Sequence, residues 1–259
     1  MKKMKIVSFN IRCAKVETDR RAPNSFVHRA GMIYDKLRSE RPDLVAFQEV
    51  TAHIADFLKK SLSDIYDFYI FFRSEHFDGE GVAIATLKDS LVCHSIDSFW
   101  LSPTPRVPGS RFAEQSTCPR VASVGVYRER ATGRLVRICN THLDHVSDEA
   151  RVLGVSLLLD RLAAMNEEYP LPTVLLGDLN AAPDSAPIRV IKESPLALTE
   201  LTAEIPVTFH DYGIMEAKID YIFGTPDLAA TVSAVGAWTD AHEGVYLSDH
   251  YPIFVAVEV

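Results

Sequence analysis

The 259-residue sequence is short of the residues that mark special architectures, with 12 Gly, 14 Pro, 4 Cys and 2 Trp. So little Gly and Pro beside a hydrophobic fraction of 47% excludes a collagen-like, low-complexity or disordered chain. Cys13, Cys93, Cys118 and Cys139 lie far apart with no C-x-x-C pair, which excludes zinc-site spacing and the density of a disulfide scaffold. Reduced thiols are the expectation. No run approaches the ~18 uninterrupted apolar residues of a membrane span. The apolar stretch after Met1-Lys2-Lys3-Met4-Lys5 is too short for a signal-peptide core, so a cytoplasmic protein with no membrane partner is expected. Internal repeats, charge blocks and Gly/Ser linkers are missing as well, and residues 1–259 read as one domain and as a monomer.

Positive charge is also in deficit, with 27 Lys and Arg against 35 Asp and Glu for a net charge of −8. Such a chain has no global field that draws it onto a polyanion or an anionic membrane. The deficit is uneven. Residues 1–130 hold 20 basic against 16 acidic side chains and the remainder hold 7 against 19, so a phosphate-facing positive surface is expected from the first half.

Strand-length apolar runs are plentiful: Ile6 to Phe9, Leu44 to Phe47, Val82 to Ala85, Val121 to Val126, Leu135 to Cys139, Val174 to Leu176, Ile219 to Phe223 and Ile253 to Val257. Apolar without strict alternation, they suit strands buried on both faces. Helical spacing lies between them. Val27, Ala30, Tyr34 and Leu37 form one face before Pro42, and Ile54, Phe57, Leu58 and Leu62 form another. Val152, Val155, Leu158, Leu159 and Leu162 form a stripe over Asp148 to Asn166, with Ser147 as N-cap and Pro170 beyond the end. Strands interleaved with helices indicate an α/β fold.

The ends of these strands carry the chemistry. Four runs finish in Asn10, in Gln48-Glu49, in Asn140-Thr141-His142 and in Gly177-Asp178-Leu179-Asn180. Two later runs carry their polar groups at the start, Asp220 before Tyr221 and Asp249-His250 before Tyr251-Pro252. If these two strands run antiparallel to the first four, all the polar groups fall on one edge of the core. Each residue alone has a structural explanation as a turn, strand-end or core polar group. Their conjunction does not.

In order and wording, Ser8-Phe9-Asn10-Ile11-Arg12, Phe47-Gln48-Glu49-Val50, Asn140-Thr141-His142-Leu143, Gly177-Asp178-Leu179-Asn180, Ile219-Asp220-Tyr221-Ile222-Phe223 and Ser248-Asp249-His250-Tyr251-Pro252 resemble the endonuclease/exonuclease/phosphatase superfamily. The segments from Phe99-Trp100-Leu101-Ser102-Pro103 to Pro119-Arg120 and Asn140-Thr141-His142-Leu143-Asp144-His145 are similar to a bacterial branch of it. The resemblance implies a four-layer α/β sandwich, two mixed β-sheets face to face with helices outside, and a divalent-metal phosphoesterase site at one end. It implies no particular substrate, since specificity on a shared fold lives in the loops.

Hydrolysis of a phosphate ester needs phosphoryl charge neutralised, water made nucleophilic and the leaving oxygen stabilised. Hard oxygen ligands, Glu49 with Asn10 and Asp249, favour Mg²⁺ or Mn²⁺ over zinc. By the resemblance Asp220 orients His250 as a His-Asp pair, and His142 donates to the phosphoryl group. Asp178 and Asn180, one residue apart, project to the same side of an extended segment and can position the attacking water. Arg120 reads either as a phosphate clamp or as an ion-paired arginine.

The rival pattern H-x-H-x-D-H of zinc hydrolases has Asn140 where its first His is required. A catalytically dead binding module is a second rival, and it leaves the complete residue set unexplained. Within the loop Ser102 to Phe112, Trp100 and Phe112 offer flat faces either to a sugar or base or to the packing of a sheet edge. The acidic balance favours a small phosphate ester as substrate. A Mg²⁺-dependent nuclease acting on single-stranded RNA or DNA is the alternative.

Overall fold

The computed structural model describes residues 3–14 and 24–258; Met1 and Lys2 of the basic N-terminus lie outside them. The first half of the chain runs β1 (Lys3–Asn10), α1 (Phe26–Glu40), β2 (Leu44–Thr51), α2 (Ala52–Leu62), β3 (Tyr66–Phe72), β4 (Glu80–Leu87), β5 (Leu91–Trp100) and β6 (Val121–Glu129). The second runs β7 (Leu135–His142), α3 (Asp148–Glu168), β8 (Thr173–Asp178), α4 (Ala186–Lys192), β9 (Thr199–Glu200), β10 (Asp220–Gly224), α5 (Pro226–Ala229), β11 (Ala234–Ala237), β12 (Ala241–His242), β13 (Val245–Tyr246) and β14 (Ile253–Glu258).

The helices begin and stop where side chains satisfy or block the backbone. Thr51 caps α2 by accepting from Ile54 N, and Ser147 caps α3 by accepting from Ala150 N at 3.1 Å. The α1 helix ends as Arg41 turns left-handed at φ 42° ahead of Pro42, whose ring disfavours a helical predecessor. No helix among the described residues is long and apolar enough to cross a membrane.

Two six-stranded mixed sheets form, ordered β11-β14-β1-β2-β4-β3 and β5-β6-β7-β8-β10-β9. Each has one parallel pair, β1 with β2 and β7 with β8, among antiparallel neighbours. Alternate residues of β1 and β2 divide between two cores, as the period of a strand requires. Ile6, Leu44 and Ala46 meet Ile138, Val174, Leu176 and Ile222 of the other sheet, while Val7, Phe9, Val45 and Phe47 pack on Ile33, Leu37, Ile54 and Leu58 of α1 and α2. Val155, Leu158 and Leu162 of α3 cover the far face of the second sheet, over Val124, Cys139 and Leu175. The result is the expected four-layer α/β sandwich.

Sequence periodicity did not reveal β3 and β5, nor the short β9, β11, β12 and β13, and β3 and β5 each lie at an edge of their sheet. Half-exposed, β5 interleaves His94, Ser95, Asp97 and Ser98 with its apolar residues, and its register slips between Cys93 and Ser95. The site depends on a different feature: β14 runs antiparallel to β1, and β10 runs antiparallel to β8. The C-terminal ends of β1, β2, β7 and β8 therefore share an edge with the starts of β10 and β14.

Candidate active site

The polar strand ends converge across the two sheets. Asn10, closing β1, donates from Nδ2 to Glu49 Oε1 at 3.2 Å and to Asp178 Oδ2 of the opposite sheet at 2.9 Å. Glu49 lies where the register of β2 against β4 slips between Phe47 and Val50, and its own φ is 61°. A β-bulge of this kind re-aims a side chain, and a non-glycine residue at positive φ is a strained conformation found most often at functional sites. Asn140 of the second sheet secures the bulge by donating from Nδ2 to Phe47 O and to Ala83 O, both at 3.0 Å, while its Oδ1 accepts from Gln48 Nε2 at 2.8 Å.

Asp178 follows a glycine that no other residue can replace. Gly177 has φ 140°, and a Cβ there would stand 1.9 Å from Thr141 O of the adjacent strand. Asp178 Oδ1 accepts from Asn180 N at 2.9 Å; Asp178 Oδ2 faces His142 Nε2 at 3.5 Å and His250 Nε2 at 3.8 Å. Asp220, its register partner on β10, holds His250 Nδ1 at 2.8 Å from its Oδ2. Asn180, at φ 47°, is fixed by donating from Nδ2 to Leu143 O at 3.1 Å.

These groups border a cleft of about 330 Å³ with two electrically different halves. Glu49, Asp178 and, behind it, Asp220 form the acidic half, with Arg12 and His250 as the nearby cations. The basic half holds Arg120, Arg73 paired with Glu80, His142 and His145. Burial, reinforced by the charge of Asp220, pushes the Asp178 carboxyl upward. Burial works against the charge of His250, but Asp220 and Asp178 outweigh it and push the imidazole up to about 10. Glu49 is held below the usual carboxylate range; burial opposes this, and Arg12 and the Cys13 N–H more than offset it. His142 is pushed well below its ordinary value by burial and then by Arg120 and Arg73, which makes it a neutral imidazole.

The fold thus brings Asn10, Glu49, His142, Asp178, Asn180, Asp220, His250 and Arg120 together. Asp249 sits behind them: its Oδ2 is 3.4 Å from Arg12 Nη1 and its Oδ1 accepts from Ser248 Oγ at 3.0 Å. Asn10 turns its amide N–H₂ to the carboxylates, because its Oδ1 accepts from Arg12 N at 3.0 Å. To offer oxygen to an ion, that amide must rotate by half a turn. The donor chemistry fits a hard divalent cation all the same, since Glu49, Asp178 and Asp220 are carboxylates in surplus over the local cations. Asp178, Asp220 and His250 also offer ligand atoms within 4.8 Å of one another, although His250 Nδ1 is taken by Asp220.

Trp100 and Phe112 do not face a ligand. Phe112 belongs to the core beneath α3, Trp100 is buried and donates from Nε1 to Arg73 O at 2.6 Å, and no residue from 102 to 112 lines the cleft. The zinc-type pattern fails too, because Asn140 is buried between the sheets and Asp144 is occupied by the N–H groups of Val146 and Ser147. Arg12 and His145 stand inside the quoted motifs without having been singled out. Arg73 and Glu80, at the mouth of the β3–β4 hairpin, and Phe209, 4.8 Å from His250 ring to ring, carry no sequence signal at all.

The sequence matches the Endonuclease/Exonuclease/phosphatase family over residues 7–250. No sequence among curated proteins matches. An endonuclease/exonuclease/phosphatase from Bacteroides vulgatus superposes with a TM-score of 0.90 at 26% identity, covering 100% of both chains. The mannosyl-6-phosphatase of Bacteroides thetaiotaomicron superposes with a TM-score of 0.87 at 25% identity, over 98% of this chain and 100% of that one. The human Nocturnin catalytic domain with bound sulfate shares the fold, with a TM-score of 0.77 at 20% identity over 99% of this chain and 94% of that one.

Proposed function

The chain belongs to the endonuclease/exonuclease/phosphatase family, and from that premise we propose that it is a divalent-metal-dependent phosphoesterase hydrolysing a phosphate ester of a small substrate with water. One observation carries this reading: the array Asp220–His250–Asp178, with Nδ1 to Oδ2 at 2.8 Å and Nε2 to Oδ2 at 3.8 Å, opens onto the same cleft as His142 and Arg120.

Asp178 Oδ2 is the proton acceptor for the attacking water. Its upward-shifted carboxyl is a stronger base than an ordinary aspartate, and Asn180, fixed through its N–H and Nδ2, orients the same water from the cleft wall. His250, oriented and kept cationic by Asp220, turns Nε2–H to the negative charge that develops on the phosphoryl group. Neutral His142 donates to a phosphoryl oxygen from the other side. Glu49, with Asn10 after rotation of its amide, would hold Mg²⁺ or Mn²⁺, Asp249 supporting them through Arg12. A bound divalent ion supplies Lewis-acid neutralisation of the phosphoryl charge and lowers the pKa of water.

Two features support a small substrate. The cleft of about 330 Å³ is of the size that encloses a small molecule. The net charge of −8 disfavours the many phosphate contacts of a polymer. Likeness to a mannosyl-6-phosphatase makes sugar phosphates the first class to try.

The experiment is a Mg²⁺-dependent turnover panel spanning sugar phosphates, inositol phosphates, small phosphodiesters, single-stranded RNA and duplex DNA, each at low and physiological salt. Turnover of a small ester with a shallow salt dependence is expected. Preference for an oligonucleotide, with a log-log salt slope steepening by roughly 0.7 to 0.9 per phosphate contacted, would promote the nuclease alternative.

A further inference from the structure

Arg120 is the most deeply buried cation of the cleft, 3% exposed, and its surroundings do not complete it. Its Nη2 lies 2.9 Å from His145 Nδ1. A guanidinium has only donors, so His145 accepts here and is held in the tautomer with hydrogen on Nε2. The nearest carboxylate, Asp144, is 3.9 Å from Arg120 Nε, beyond hydrogen-bond reach, and already accepts from Ser116 Oγ, Val146 N and Ser147 N. Nε and Nη1 of Arg120 are buried and donate to no group.

A second guanidinium, that of Arg73, stands beside it, paired with Glu80 at 2.9 Å. Burial, and after it the charge of Arg73, push the Arg120 pKa below its ordinary value. Unused buried donors on a cation call for an explanation, and an anionic oxygen is the partner that a guanidinium binds most strongly. Between Arg73, Arg120 and His142, with Glu80 also in its wall, lies a recess of about 10 Å³, room for one water-sized group.

Resting on the phosphoesterase reading above, we infer that this recess takes an unesterified oxygen of the scissile phosphoryl group and makes the enzyme select phosphomonoesters over phosphodiesters. Oxygen count and charge both point this way. A monoester dianion has three terminal oxygens, so one can enter the recess while two remain for the acidic half of the cleft. A diester has two, carries a single charge, and brings a second substituent that the recess cannot admit. Arg120 and Arg73 are then the specificity residues, and His145 is a positioning residue that acts through Arg120 Nη2.

The test compares binding with turnover. At pH 8, calorimetry with methyl phosphate and dimethyl phosphate reads the recess directly, and kcat/KM on a sugar 6-phosphate and on its methyl diester reads selectivity. Methyl phosphate is expected to bind at least about tenfold more tightly than dimethyl phosphate, and the monoester to be turned over about a hundredfold faster. Arg120→Met should erase both preferences to within about threefold, with Arg120→Lys intermediate. Arg73→Gln, outside the buried core, gives the same reading in weaker form should Arg120→Met fail to fold. Equal binding of the two phosphates, or a monoester preference that Arg120→Met and Arg73→Gln leave unchanged, overturns the inference while leaving the phosphoesterase in place. Absence of turnover on these esters and on every other member of the panel above overturns the phosphoesterase reading instead, and the binding comparison still decides the recess.

Discussion

Asp178 and Asp220 are register partners on the antiparallel strands β8 and β10, two buried carboxylates side by side, and His250 spans them with its two ring nitrogens. The charge of Asp220 therefore acts on both its neighbours, raising the basicity of Asp178 and fixing His250 as a cation. His250→Gln should lower kcat by about a hundredfold or more with KM little changed, because the lost interaction is one made to the transition state. Asp220→Asn, which keeps the shape but removes the charge, should cost about tenfold or more. Near-native kcat in both variants would place the chemistry elsewhere.

The same triad sets a pH signature in metal-free protein. His250 rises from an ordinary value near 6.5 to about 10 on folding. A group whose folded pKa is raised stabilises the fold fully below its unfolded pKa and loses that contribution as pH rises through the folded one. The difference in Tm between wild type and His250→Gln should thus be largest below about pH 6.5 and shrink up to about pH 10. A difference that grows with pH across that window contradicts the arrangement.

Metal removal separates the acidic half from the rest. EDTA should abolish turnover, Mg²⁺ or Mn²⁺ should restore it and Zn²⁺ should restore it poorly. Glu49→Ala should weaken Mn²⁺ binding in calorimetry and be partly rescued by excess Mn²⁺, whereas His250→Gln should not respond to added metal. Full turnover in chelator would remove the ion from the mechanism.

Stability hangs on a residue that takes no part in the chemistry. Asn140 joins the sheets through Phe47 O, Ala83 O and Gln48 Nε2, and its truncation leaves Gln48 Nε2 to Ala46 O and Ser8 Oγ but removes the partner of Phe47 O and Ala83 O, at roughly 1–3 kcal/mol for each one left unsatisfied. Asn140→Ala should lower unfolding free energy by on the order of 3 kcal/mol in urea titrations with an unchanged m-value. It should also loosen the bulge that carries Glu49.

Much of this was legible in one dimension. Strands buried on both faces show as apolar runs, the α3 stripe and its Ser147 cap show as spacing, and the polar residues at run ends named the groups that meet in the cleft. Local chemistry is enough for these, because a strand terminus is where a polar group can sit without entering the core. Three things needed the tertiary structure. The edge strands β3 and β5, half-exposed, carry no clean period, yet the β3–β4 hairpin delivers Arg73 and Glu80 to the cleft. The burial that decides Trp100 and Phe112 against ligand binding is set by Arg73 O and the core under α3, both distant in the chain. The charges of Asp178, His250 and Arg120 depend on which groups the two sheets bring within a few ångströms. Composition and periodicity determine which elements form and which face they bury; a pKa, an unpaired guanidinium or a one-atom recess is a property of distances between residues far apart in sequence, and only packing creates those distances.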